Sequence, residues 1–373
     1  MENFEIIIPT LFGLEAIVAR EVKRLGYETT AVEDGRVTFK GDWSAVCRVN
    51  LWSRCGERAL IKAAEFKAVT FEELFQGAKS VEWERFIGKN DAFPVKGHSL
   101  KSQLASVRDC QAIIKKAAAE RLSGKYGISW LPEEGVTYQI QFRILKDTVT
   151  LMIDTSGEPL HKRGYRAHSN AAPLRETLAA AMADLSRWKF EYPLCDPFCG
   201  SGTIPIEAAM MKLNIAPGLM REFAFDKFNQ ISEAVKKEAR EEAASKRRDL
   251  PLKIYASDID AECAALTMEN AKKAGVERYI IAAERDARDI SFEEANGTII
   301  CNPPYGERLG EVKECEGLYG EIGKTFKKLN NWSYFILTSN ENFERLFGRK
   351  ADKRRKLYNG MLKCNLYQYF SKK

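Results

Sequence analysis

Histidine occurs only three times in this 373-residue sequence, and its nine cysteines include no Cys-x-x-Cys pair. Together these leave no ligand set of the usual spacing for a structural zinc site, so no bound metal is expected. No run of 18 apolar residues is present to cross a bilayer as a helix, and no membrane association is expected. The start, Met1-Glu-Asn-Phe-Glu5, lacks the basic-then-apolar form of a signal peptide. An odd number of cysteines, several inside apolar stretches, suits reduced thiols in a cytoplasmic protein better than a disulfide framework. No Gly-Lys-Ser/Thr follows a glycine-rich turn, which excludes a P-loop. A dominant charge of one sign is lacking too. Against 52 acidic residues stand 58 basic ones, a net of +6 that implies a polyanion partner only where it is clustered. The length exceeds one ordinary core, so two or three domains are expected.

What is present divides near residue 174. Before it the pattern is α+β. Phe4 to Ile8 reads as a strand, Leu14 to Leu25 as an amphipathic helix stopped by Gly26, and Val32 to Phe39 as a hairpin turning at Asp34-Gly35. Asp42 can cap a helix reaching about Arg54. A strand (Ala59 to Phe66) follows, then a helix opened by Thr70 with Glu72 and Glu73 in its first turn. A strand around Ala92 to Val95, a helix from Ser106 to Leu122 and a hairpin from Val136 to Asp154 complete this half. Between Lys96 and Lys116 basic and hydroxyl residues collect near a helix start, a composition suited to phosphate contacts. Lys96, Lys101, Arg108 and Lys115 are the candidate cations. Residues 156–172 are polar, with glycine and proline, and carry Lys162, Arg163 and Arg166 around Tyr165. A linker that also touches substrate phosphates fits that composition.

From Leu174 strands and helices alternate, as a parallel α/β sheet requires. A helix from Pro173 to Met182 is followed by Leu194-Cys-Asp-Pro-Phe-Cys-Gly-Ser-Gly-Thr203, a strand running through a glycine turn into a helix. Gly200 and Gly202 let the backbone approach a ligand closely. A dinucleotide fingerprint would place a third glycine at position 205, where Pro205 stands. Asp196 ends its strand as a fixed carboxylate, better suited to an ammonium than to a phosphate. A charged helical insertion covers about Met220 to Asp249. The next strand ends at Asp258, an acceptor for the hydroxyls of a ribose, and beyond a third strand Asp286 can accept from an adenine amine. The fourth strand, Thr298 to Cys301, delivers Asn302, Pro303, Pro304 and Tyr305. The Asn302 amide oxygen and the Pro303 carbonyl can each accept one hydrogen of an –NH2 group, while Tyr305 offers a stacking face. With both hydrogens held, the nitrogen lone pair points toward an electrophile. Cys301 packs in the strand and is not a nucleophile.

Asp-Pro-Phe-Cys-Gly-Ser-Gly-Thr and Asn-Pro-Pro-Tyr-Gly-Glu-Arg-Leu-Gly resemble the class I S-adenosylmethionine methyltransferases that modify exocyclic amines. Leu-His-Lys-Arg-Gly-Tyr-Arg and Ala-Pro-Leu-Arg-Glu-Thr-Leu-Ala ahead of them resemble the branch carrying a THUMP RNA-binding domain. The resemblance implies a Rossmann-like, mostly parallel methyltransferase domain over 173–373. Ahead of it come a small ferredoxin-like part (1–44), a THUMP domain (45–155) and a linker (156–172). It implies that Pro173, Leu174 and Thr177 line the methionine side, and that Asp196, Gly200 and Gly202 hold the amino-acid moiety. Asp258 would bind the ribose and Asp286 the adenine, with Phe198, Thr203, Ile259, Ala287 and Asn302 beside them. The activity implied is methylation of guanine N2 in RNA, 23S ribosomal RNA above all. An adenine-N6 DNA methyltransferase and a catalytically idle RNA-binding assembly factor are the alternatives, since the tetrad itself recognises any planar amine.

Overall fold

The computed structural model describes residues 3–166, 174–306 and 309–371. Pro173 lies outside the described residues. Strands β1 (Phe4–Pro9), β2 (Thr29–Glu33), β3 (Arg36–Gly41), β4 (Leu60–Lys67), β5 (Val95–Leu100), β6 (Ile140–Leu145) and β7 (Thr148–Asp154) form one sheet. Its order is β2-β3-β1-β4-β7-β6-β5, so residues 1–44 and 45–155 share a single ladder through the β1–β4 pair. Helices α1 (Glu15–Arg24), α2 (Trp43–Trp52), α3 (Phe71–Lys79) and α4 (Val107–Tyr126) complete this half. Local chemistry sets their starts. Asp42 accepts from the Ala45 N–H, and Thr70 with Glu73 forms a reciprocal capping box.

One strand departs from expectation. Pairing of β5 with β6, from Val95 with Ile140 to Leu100 with Leu145, carries the strand through the basic stretch that follows Val95. The parallel partner lies some 45 residues along the chain, so local sequence holds no signal for it.

The second half contains α5 (Glu176–Ser186), β8 (Leu194–Asp196), α6 (Thr203–Lys212), α7 (Glu233–Ser245), β9 (Ile254–Asp258), α8 (Ala261–Lys273), β10 (Ile280–Glu284) and β11 (Gly297–Cys301). After these come α9 (Leu309–Phe326), β12 (Trp332–Thr338), α10 (Phe343–Phe347), β13 (Lys353–Asn359) and β14 (Leu362–Tyr369). The sheet order is β10-β9-β8-β11-β12-β14-β13; the first five strands run parallel and β14 lies antiparallel to both its neighbours. The order reverses between β8 and β11, the point in an open α/β sheet where ligands bind. Strand ends there carry Asp196 and Asn302.

The two halves share one hydrophobic cluster. Helix α2 packs on α7, and the Gly218 N–H donates to Leu51 O at 2.9 Å. A Cβ at Gly218 would meet Leu51 Cα at 2.8 Å, so only glycine permits that approach.

Arg163 is part of this seam and not of an RNA surface. Its side chain is 2% exposed, pairs with the fully buried Glu207 of α6 at 3.3 Å, and donates to Leu160 O at 2.7 Å. A guanidinium enclosed in this way cannot reach a phosphate. The composition of the linker points to solvent, but the Glu207 partner is distant in sequence and invisible to it.

Candidate functional site

Strand β8 ends in Asp196, which is 1% exposed. Burial pushes its carboxyl well above the usual carboxylate range, opposed by the Phe198 N–H that donates to Oδ1 at 3.1 Å. The chain then turns through Gly200 (φ +51°) and Gly202 (φ +81°), and Thr203 opens α6. The two glycines do different work. A Cβ at Gly202 would sit 2.8 Å from Thr267 Cγ2 of α8, a packing constraint; at Gly200 it would meet nothing within 4 Å, because the turn faces open space. Next to that space, the Gly200 N–H donates to Asp258 Oδ2 at 2.9 Å and the Asp260 N–H donates to Oδ1 at 3.2 Å. Both oxygens of Asp258 are thereby oriented and keep lone pairs for a diol. Ile259 beside it is 67% exposed, an apolar plane at the rim. A buried acid, a glycine turn open to solvent, an oriented acid and an exposed aliphatic side chain fit the ammonium, backbone, ribose and adenine of S-adenosylmethionine in turn.

Three of the expected cofactor contacts, Asp286, Thr177 and Thr203, are engaged elsewhere. Both oxygens of Asp286 accept from Arg288, including Nε at 2.9 Å, so an adenine amine would have to share them; Ala287 beside it is buried. The Thr177 hydroxyl donates to Glu57 Oε1 at 2.8 Å. Glu57 lies just before β4 and also meets Arg175 and His161, each at 3.4 Å. Leu174 is buried nearby and Phe198 half-buried. The Thr203 hydroxyl accepts from Arg166 at 2.8 Å. Arg166 also pairs with Glu176 at 3.0 Å, so it braces the glycine turn and faces inward.

Strand β11, held between β8 and β12, presents Asn302 half-buried, Pro303 buried and Pro304 exposed. The Pro304 carbonyl accepts from the Tyr319 hydroxyl of α9 at 2.7 Å, which fixes the loop from behind. The Tyr305 hydroxyl donates to Asn302 Oδ1, and Cys364 Sγ of β14 lies 3.9 Å from it. These residues line a cleft of about 870 Å³, whose other walls include Arg175, Glu314 and the turn residues Asn359, Gly360 and Leu362. Cys301 is fully buried and its thiol is pushed well up by that burial, which fits packing in the strand.

Among the expected RNA contacts, Lys96, Lys101 and Arg108 are exposed. Lys115 instead meets Glu133 at 2.6 Å and lies 3.4 Å from the centre of the Phe93 ring. Lys162 is exposed and pairs with Glu158 at 2.6 Å. Arg175 and the 359–362 turn, with Glu57 behind Arg175, were not legible as site residues, since only tertiary packing brings them together. Among the described residues no helix is long and apolar enough to cross a membrane. No group of three or more His, Cys, Asp or Glu among them could hold a metal ion.

Comparison with known proteins agrees with this geometry. The model of the "RMKL-like, methyltransferase domain" family matches residues 163–368, a THUMP domain model matches 68–154, and an "RlmL ferredoxin-like domain" model matches 5–60. "Putative RNA methyltransferase YpsC" of Bacillus subtilis is 47% identical over all of this chain and 97% of its own length. "Ribosomal RNA large subunit methyltransferase K/L" of Psychromonas ingrahamii is 34% identical over 97% of this chain, which spans only 49% of that longer protein. The crystal structure of SMU.472 complexed with SAH superposes with a TM-score of 0.95 at 42% identity, covering 100% of this chain and 99% of the other. A Listeria monocytogenes structure called a "predicted N6-adenine-specific DNA methylase" has the same score at 46% identity, covering 100% and 97%. The chain therefore belongs to the RMKL-like methyltransferase family, and it is an S-adenosylmethionine-dependent methyltransferase carrying a THUMP domain.

Proposed function

We propose that the protein methylates the exocyclic N2 of a guanine in large-subunit ribosomal RNA. The observation that carries this reading is the Asn302–Pro303 acceptor pair, set at the sheet's switch point beside the glycine turn, in a chain that also bears a THUMP domain. The names of two relatives, a "putative RNA methyltransferase" and a ribosomal RNA methyltransferase, support the choice of polymer.

The bound sulfonium supplies an electrophilic methyl carbon. The protein's own part is alignment and exclusion of water. Asn302 Oδ1 and the Pro303 carbonyl would each accept one N–H of the incoming amine, which aims the nitrogen lone pair away from them. As positive charge develops on nitrogen those two bonds strengthen, lowering the barrier without a covalent nucleophile. The C–S bond breaks to leave the neutral thioether S-adenosylhomocysteine, and the surplus N–H proton passes to water after transfer. Tyr305 would offer its ring to the base, and Asp196 and Asp258 would hold the two ends of the cofactor. A guanine amine lies on the minor-groove edge, so the base must leave its stack to reach the cleft. Lys96, Lys101, Arg108 and Lys162 are the proposed phosphate contacts of the docked RNA.

The test is to offer purified protein and labelled S-adenosylmethionine to ribosomal RNA, transfer RNA and unmethylated duplex DNA, then digest and identify the product. N2-methylguanosine in 23S RNA is the expected result. Label in N6-methyladenine from DNA, with none in RNA guanine, would overturn it in favour of the activity named for the Listeria protein.

A further inference from the structure

The β13–β14 hairpin forms one wall of the catalytic cleft and has an unusual tip. Asn359 pairs with Leu362, leaving Gly360-Met361 as a two-residue turn; Gly360 takes φ +63°, which glycine adopts without a Cβ penalty. Met361 is 99% exposed and Leu362 46% exposed. Two adjacent apolar side chains are thereby held out at a turn beside the cleft, free to bury themselves against a partner.

The rest of the hairpin is anchored to the body of the protein and rich in basic residues. Leu357, Cys364 and Leu366 are fully buried under it, Arg355 donates to Gly13 O, and the Tyr358 ring lies edge-on to Phe12 at 6.1 Å. Between Lys350 and Lys363 the chain has six basic residues and one acid, Asp352. Of these, Lys353, Arg354, Lys356 and Lys363 are exposed, with Arg354 paired to Glu344 and Lys363 to Glu341. An anchored basic ribbon therefore ends in an apolar tip beside the loop that would receive the reacting amine.

We propose that this hairpin is the element that draws the target base out of its helix, with Met361 as the wedge. The inference rests on the reading that the substrate is a stacked RNA base. Removing a base opens a gap that an apolar side chain can fill, replacing the lost stacking. Methionine suits the task, being unbranched, flexible and polarisable. Its neighbours Asn359, Gly360 and Leu362 line the same cleft as Asn302 and Tyr305, so the gap and the everted base would lie side by side. Lys353 and Lys356 would follow the strand backbone through phosphate contacts. Met361 is thus a positioning residue, and it does not touch the reacting atoms.

The experiment uses the full chain and an RNA helix containing the methylated nucleotide located by product mapping. The helix is prepared fully paired and with the target base mismatched, so that it is already partly unstacked. Met361→Asp should lower kcat/KM on the paired helix by about tenfold or more and on the mismatched helix by no more than about twofold, because only the first must be opened. Met361→Leu should keep the parent's ratio between the two helices, and cofactor affinity should be unchanged in both variants. Equal loss on the two helices, or no loss on either, would overturn the wedge. A parent protein that methylates no RNA would overturn both this inference and the functional reading beneath it.

Discussion

The Tyr305 hydroxyl donates to Asn302 Oδ1, the oxygen proposed to receive the incoming amine, so in the resting site tyrosine already uses one of its two acceptor positions. The incoming amine can take the second lone pair of that oxygen or displace the tyrosine from the first. Asn302→Ala should then leave cofactor affinity nearly intact while lowering turnover by about 100-fold, as loss of a partner of the reacting group does. Tyr305→Phe keeps the ring and removes the competitor, so its turnover should stay within about threefold of the parent, whereas Tyr305→Ala should lose about 1–3 kcal/mol of stacking. Single-turnover kinetics with calorimetry of cofactor binding separate these effects. If Tyr305→Phe proved as inactive as Asn302→Ala, the hydroxyl itself would have to act in the reaction.

The two glycines of the turn should respond in opposite ways to alanine. Gly202→Ala forces a Cβ to 2.8 Å from Thr267 at φ +81°, and its main effect should be a lower melting temperature. Gly200→Ala meets no protein atom and costs only about 1–2 kcal/mol of left-handed strain. Its methyl projects into the space assigned to the cofactor, so affinity should fall by more than the stability does. Unchanged affinity in Gly200→Ala would remove that turn from the cofactor site.

A pH dependence follows from Asp196. Burial raises its carboxyl well above the ordinary range, so in the free protein it ionises late. A cofactor ammonium requires the carboxylate, and affinity should therefore rise with pH through the raised value. Stability of the free protein runs the other way. The contribution of Asp196 is full below its unfolded pKa of about 3.9 and is lost as pH rises through the folded value. Asp196→Asn should bind weakly at every pH, lack the rise, and melt higher than the parent at neutral pH without cofactor. An affinity profile in the asparagine variant that still climbs with pH would place the titrating group elsewhere.

Two groups of arginines and lysines should separate by their effects. Arg163→Ala strands Glu207 as an unpaired buried charge and should cost about 3–5 kcal/mol of stability. The salt dependence of RNA binding should not change in protein that remains folded. Reversing Lys101 and Arg108 to Glu should leave the melting temperature near the parent's and lower the salt slope by about 2. Reversal of Lys115 should add little, because Glu133 and Phe93 already hold it. Thermal melts and binding over a salt series decide both points.

Where sequence carries its own local chemistry, the elements were legible. Thr70 with Glu73, Asp42 and the Asp34-Gly35 turn each mark a boundary by a hydrogen bond or a backbone preference only a few residues away. The short strands ending in Asp196, in Asp258 and just before Asn302 were legible too, since an apolar run followed by an acid or a proline is a contiguous signal. Partners at long range were not. Lys96 sits in a strand because β6 pairs with it, Arg163 turns inward because Glu207 waits in α6, and Asp286 is tied to Arg288 by side-chain geometry that spacing does not reveal. Met361 was illegible for a different reason. An isolated methionine in a polar stretch has no meaning until the fold sets it beside the cleft.

The closeness of Gly218 to Leu51, with α2 and α7 buried in a common core, has a consequence for how a target would be chosen. Halves joined by such packing cannot swing about a hinge as tethered modules do. If RNA docks on the first half, the separation between grip and chemistry is set in advance, like the jaws of a locked caliper. A nucleotide would then be picked out less by the letters around it than by its distance from the feature being gripped, and identical bases at other distances would be passed over.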